Sequence, residues 1–237
     1  MHTFILVHGA FHGAWSWYKI IPLLEAKGAR VIARDLPGHG CRAGGDAVCS
    51  LHAYAASVCE SIDQAQQPVI LVGHSMGGAV ISQAAEMRAA KVAKLVYVAA
   101  FLPQDGQSVR SFSKPDAKSA LYENVVWSEG RHFATLKENT FGAAFCHDAP
   151  AADSVLGDLL SVPENMTPPG EPVSLTSDRF GKIPRAYVTC TQDRALDPVM
   201  QRRMIEASPC DSVFTLDTAH SPMLSRPGEL ARILLHL

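Results

Sequence analysis

Val69-Ile70-Leu71-Val72-Gly73-His74-Ser75-Met76-Gly77-Gly78-Ala79-Val80 is the stretch on which the reading of this chain turns. Four apolar, largely β-branched residues spell a strand, and the small-residue run from Gly77 to Val80 opens a helix. The G-x-S-x-G pattern between them is therefore a strand-to-helix turn that pushes a serine out of the chain's path, a nucleophile elbow. A serine on so tight a turn leaves no room for side chains on its neighbours, and Gly73 and Gly77 supply that room. Ser75 is the candidate nucleophile.

Further short apolar runs lie on either side, at Phe4–Val7, Arg30–Ala33, Leu95–Ala99, Ala186–Cys190 and Val213–Leu216. Segments with helical spacing separate the early ones, at Trp17–Lys27, Leu51–Gln64 and Gly77–Ala90. This β-α-β alternation predicts an α/β fold with a mostly parallel, doubly wound sheet. The alternation stops between Gln107 and Arg179, where scattered aromatics and a Pro-rich stretch take over. A structureless loop of that length is improbable in a compact domain, so residues 107–179 are expected to form a small, mostly helical cap. Residues 1–106 and 180–237 form the core, and the cap covers the C-terminal edge of the sheet, where open parallel sheets bind ligands.

The chain has 237 residues, enough for one sizeable core, and its 47% hydrophobic and 19% charged content is ordinary for a globular protein. With 21 basic and 23 acidic residues and a net charge of −2, it carries no footprint for nucleic acid or an anionic membrane. Phe4–Val7 is too short for a signal peptide's hydrophobic segment, and no apolar run is long enough to span a bilayer, which points to a cytoplasmic protein. Cys41, Cys49, Cys59, Cys146, Cys190 and Cys210 show no zinc-binding spacing, so reduced thiols and no metal are expected.

A serine needs a histidine to remove its proton, and the histidine needs an acid to fix its tautomer. The run Ala186–Cys190 ends in Thr191-Gln192-Asp193, and Val213–Leu216 ends in Asp217-Thr218-Ala219-His220. Asp193 and His220 thus fall on loops at the ends of successive strands, in the order Ser, acid, His that such elbows use. Asp197 and Asp217 compete for the acid's role. Asp197 precedes Pro198 and reads as a helix start, and Asp217 lies too near His220 in sequence. An oxyanion hole needs two preorganised donors: the amide after the nucleophile, Met76, and one from His8-Gly9-Ala10-Phe11, with Ala10 preferred and Phe11 second. His8 and His12 are read as braces of that loop rather than bases. Trp15 and Trp17 read as core packing, whereas Phe101, Trp127, Phe141, Phe145 and Met223 are candidates for a substrate pocket.

With these residues in place, the chain resembles the α/β-hydrolase branch of plant salicylate-binding methyl esterases and hydroxynitrile lyases, with their bacterial esterase relatives. The resemblance rests on His8-Gly9-Ala10-Phe11-His12-Gly13-Ala14-Trp15-Ser16-Trp17-Tyr18, Gly73-His74-Ser75-Met76-Gly77-Gly78, Cys190-Thr191-Gln192-Asp193 and Ala219-His220, and fades across the cap. It implies the α/β-hydrolase fold, a Ser75–His220–Asp193 triad, an oxyanion hole of Ala10 and Met76, and no cofactor. Hydroxynitrile lyases of this branch typically carry a threonine after the first-loop histidine and a lysine after the catalytic histidine. Gly9 and Ser221 stand there instead, which disfavours lyase activity. The expected activity is hydrolysis of small to medium hydrophobic esters, aromatic and methyl esters included, through an acyl-enzyme. The expected partner is that small-molecule ester, and a homodimer is compatible with the sequence. A salicylate-like binding protein or receptor with weak turnover is the alternative from another class. Haloalkane dehalogenation is excluded, because it needs a carboxylate where Ser75 stands, whereas amidase, lactonase, C–C hydrolase and perhydrolase activities use the same triad.

Overall fold

Each of the six apolar runs becomes a strand of one sheet. In the computed structural model, which describes residues 2–44, 47–112 and 121–237, the chain opens with β1 (Thr3–Val7), α1 (Ile20–Glu25), β2 (Arg30–Ala33) and α2 (Leu51–Asp63). The elbow strand β3 (Val69–His74), α3 (Gly77–Met87) and β4 (Val92–Val98) follow. An insertion then contributes β5 (Val125–Trp127), β6 (Phe133–Leu136), α4 (Thr140–Phe145), α5 (Ala151–Leu160) and β7 (Glu164–Asn165). The core resumes with β8 (Arg185–Cys190), α6 (Pro198–Ala207), β9 (Ser212–Leu216), α7 (Pro222–Ser225) and α8 (Pro227–His236).

The large sheet has the order β2-β1-β3-β4-β8-β9, and every pairing in it is parallel. Helices cover both faces, which is why its strands read as continuous apolar runs rather than alternating ones. Period-two geometry divides β1 and β3 between the two cores. Ile5, Val7 and Leu71 pack on one face with Val58 and Ile62 of α2 and Val80 and Ile81 of α3. Phe4, Leu6, Ile70 and Val72 pack on the other with Ile20 and Leu24 of α1 and Leu230 and Leu234 of α8. Because β1 lies between β2 and β3, the chain leaves it in one direction and returns on its other side. The loops after β1 and β3 therefore diverge at the C-terminal edge and open a crevice at that switch point.

The insertion differs from the mostly helical cap expected. Besides α4 and α5 it carries a three-stranded antiparallel sheet, β5-β6-β7. Strands of three, four and two residues are too short to print a period-two pattern that sequence inspection can recognise. The cap is held to the core by Asp153 of α5, which is buried and accepts hydrogen bonds from Lys19 Nζ (2.6 Å) and Tyr18 Oη (2.7 Å). All six cysteines are free thiols. No helix among the described residues is long and apolar enough to cross a membrane.

Candidate active site

The elbow takes the strained geometry its glycines suggested. Ser75 has φ 53°, in the left-handed region that a side chain disfavours. A Cβ at Gly73 would lie 2.6 Å from the Gly77 carbonyl oxygen, and one at Gly77 would lie 2.7 Å from the His8 and Val7 carbonyl oxygens. The turn is held from β4: the Ser75 amide donates to the Val98 carbonyl (3.3 Å) and its carbonyl accepts from the Phe101 amide (3.0 Å). Phe11 (φ 61°) and Ala99 (φ 42°) share the left-handed conformation, so three strained non-glycine residues cluster in the loops after β1, β3 and β4. Such strain persists only where the surrounding structure over-determines it.

Asp193 and His220 meet on the loops after β8 and β9. His220 Nδ1 donates to Asp193 Oδ2 at 2.7 Å, and both side chains are buried. The carboxylate is saturated with donors: Oδ1 accepts the Ala195 and Leu196 amides at 2.8 Å each, and Oδ2 also accepts Gln201 Nε2 at 2.9 Å. Because a carboxylate only accepts, the His220 proton sits on Nδ1, leaving Nε2 with a free lone pair. That nitrogen is buried and has no hydrogen-bond partner. The rival acids lie elsewhere. Asp197 caps α6 through the Val199 amide, and Asp217 is exposed and bonded to Thr191 Oγ1 and Gln192 Nε2.

Three further buried histidines tie the loops around Ser75 and His220 together, and only two of them were legible in the sequence. His8 Nδ1 donates to the Gly9 carbonyl (2.9 Å) and Nε2 accepts the Leu36 amide (3.0 Å), joining the loops after β1 and β2. His12 Nδ1 donates to the Ala10 carbonyl (2.7 Å), and Nε2 accepts from Ser221 Oγ (3.3 Å), joining the β1 loop to the His220 loop. His74 Nε2 donates to the His220 carbonyl (3.0 Å), joining that loop to the elbow. Burial is the main reason all three stay neutral: it pulls His8 and His12 down to about 3 and His74 well below the ordinary histidine value. Neighbouring imidazoles push in the same direction.

The amides of Ala10 and Met76 donate to no protein acceptor among the described residues, and both residues line a cavity of about 420 Å³ beside Ser75. Phe11 is corrected as an oxyanion donor. Its amide donates to Glu164 Oε2 at 2.8 Å, so it has no proton to offer a substrate oxygen. Of the five pocket candidates, Phe101, Trp127 and Phe145 line the cavity. Phe141 and Met223 do not: both are wholly buried in the core, and Phe141 packs on the rings of His12 and Trp15. Leu121, Met166 and Leu196 add apolar surface, and among the described lining residues Glu164, Arg110 and Arg131 are charged. Arg110 donates to the Met166 carbonyl (2.6 Å), and the Arg131 guanidinium lies over Trp127. No cluster of metal-ligating side chains exists among the described residues.

Glu164 and His39 carried no readable signal in the sequence, since each acquires its role from a contact distant along the chain, whereas Gln201 lies only eight residues beyond the Asp193 it supports. His74 could have been found, as it stands inside the elbow motif itself.

Comparison with known proteins identifies the family. The sequence profile of the alpha/beta hydrolase family matches residues 4–233. Methylesterase 7 of Arabidopsis thaliana is 35% identical over 249 residues, covering 99% of this chain and 95% of the relative. Among solved structures, polyneuridine aldehyde esterase superposes with a TM-score of 0.89 at 25% identity, covering 100% of this chain and 98% of that one. A pyrethroid hydrolase from Sphingobium faniae superposes with a TM-score of 0.87 at 27% identity, covering 99% and 96%. The chain belongs to the α/β-hydrolase family, in the branch of the plant methylesterases, and is a carboxylic ester hydrolase.

Proposed function

We propose that this enzyme is a serine carboxylesterase that cleaves small to medium hydrophobic esters, methyl and aromatic esters included, through an acyl-enzyme. The observation that carries the reading is the His220–Asp193 pair with its free Nε2, on the loop that His74 ties to the strained Ser75 turn beside an apolar cavity. Ser75 Oγ attacks the ester carbonyl as His220 Nε2 takes its proton, and Asp193 holds the imidazolium. The Ala10 and Met76 amides bind the oxyanion, where one such donor is worth about 10²–10³ in rate. Collapse of the tetrahedral intermediate passes the proton from Nε2 to the departing alcohol. Water, deprotonated by the same nitrogen, then releases the acid and restores Ser75.

A cavity of about 420 Å³ lies within the range of small-molecule pockets. Its aromatic and aliphatic walls favour an apolar acyl group, and the methylesterase relatives suggest a small alcohol. The pyrethroid hydrolase likeness extends the candidates to bulkier esters. Ser221 is buried against His12 and brings no charge to the pocket, which supports hydrolysis over cyanohydrin cleavage. Fluorophosphonate labelling read by intact mass tests the mechanism. Wild type should gain one adduct and turn over p-nitrophenyl acetate, and Ser75→Ala should do neither while keeping its melting temperature within a few degrees. Turnover by Ser75→Ala near the wild-type rate would overturn the assignment.

A further inference from the structure

Glu164 of β7 is the one carboxylate among the described residues that line the cavity, and only half of it is used. Oε2 accepts the Phe11 amide (2.8 Å) and faces His39 Nε2 (2.9 Å). Oε1 is buried and has no hydrogen-bond partner, although Glu164 lines the cavity. His39 meets an acceptor on each side, the Pro37 carbonyl at Nδ1 (3.2 Å) and Glu164 at Nε2, so both nitrogens carry protons. Burial alone would lower its proton affinity, but Glu164 and the Pro37 carbonyl outweigh burial and raise it. The site is thus a neutralised ion pair with one acceptor left over. An unsatisfied buried carboxylate oxygen is costly and rare in folded proteins.

We propose that Glu164 is a specificity-determining residue whose unused Oε1 accepts a hydrogen bond from a neutral donor, a hydroxyl or N–H group, on the substrate. This rests on the ester-hydrolase reading of the same cavity. His39 already balances the carboxylate's charge, so the site favours a neutral donor over an ammonium group. Arg110 and Arg131 on the same wall add further reason to reject a cation. Discrimination is strongest where a site's own polar group would otherwise be left unpaired.

The probes are methyl phenylacetates carrying a hydroxyl, a methoxy or hydrogen at the ortho, meta or para position. For wild type, at least one hydroxy isomer should exceed both its methoxy and unsubstituted counterparts about tenfold or more in kcat/KM. In Glu164→Gln, the side-chain oxygen stays against the Phe11 amide and His39, so its NH₂ replaces Oε1. The hydroxy-to-methoxy ratio should then fall to about one or invert. Because the readout is a ratio within one enzyme, a general loss of rate cancels. If Glu164→Gln fails to fold, the wild-type ratios still decide. Titration calorimetry of the same esters with Ser75→Ala reads the preference without turnover. Ratios near one for every isomer, in turnover and in binding, would mean that water satisfies Oε1 and would overturn the inference. A preserved hydroxyl preference in binding with no ester turnover would instead overturn the esterase reading alone.

Discussion

Asp193→Asn is the sharpest perturbation of this site, because every neighbour of the carboxylate is a donor. The Ala195 and Leu196 amides at Oδ1 are backbone and cannot turn away, so the oxygen of an asparagine stays with them. Its NH₂ then faces His220 Nδ1 and Gln201 Nε2. Gln201 cannot rotate to accept it, since Nε2 also donates to the Leu196 carbonyl (2.9 Å) and Oε1 accepts the Cys190 amide (3.1 Å). Only His220 can respond, by moving its proton to Nε2, and that tautomer cannot take the proton of Ser75. A wrong tautomer in a serine triad costs about 10⁴ in kcat, or about 5 kcal/mol of transition-state stabilisation. Single-turnover acylation by p-nitrophenyl acetate measures the step directly, with melting temperature as the folding control. Asp217→Asn, on an exposed residue, should stay within about threefold of wild type. A variant at Asp193 that keeps more than a tenth of the wild-type rate, or equal losses at both positions, would refute the reasoning.

Two further expectations concern stability. His8, His12 and His74 are buried neutral, whereas in the unfolded chain each takes up a proton near pH 6.5. Below that pH the unfolded state binds more protons, so stability falls as pH falls, toward about 3 for His8 and His12, by roughly 1.4 kcal/mol per pH unit for each histidine that stays neutral in the fold. The urea midpoint should therefore drop steeply between pH 7 and 5, and a flat midpoint would contradict the burial of three neutral imidazoles. Asp153→Ala leaves Lys19 and the Tyr18 hydroxyl without their shared acceptor at the cap's anchor. A loss of about 2 kcal/mol, read as a lower melting temperature, is expected for a pair in which Lys19 is partly solvated.

Local chemistry sufficed for the sheet, the elbow turn and the pairing of Asp193 with His220. Strands buried on both faces print continuous apolar runs, Gly73 and Gly77 are demanded by contacts within and beside the turn, and Asp193 and His220 follow strand ends in chain order. What escaped is decided across the fold. Phe11 belongs to the right loop, but Glu164, far along the chain in β7, takes its amide and leaves Ala10. Phe141 looks like pocket aromatic by type, yet α4 turns it onto His12 and Trp15, while Phe145 on the same helix reaches the cavity. The cap's strands are too short for a periodic signal, so their pairing had to come from the folded chain. The strained turn at Ser75 was thus written in residues next to it. The character of the cavity beside it, largely apolar with Arg110, Arg131 and a half-used Glu164 at its wall, comes from long-range packing that no local pattern encodes.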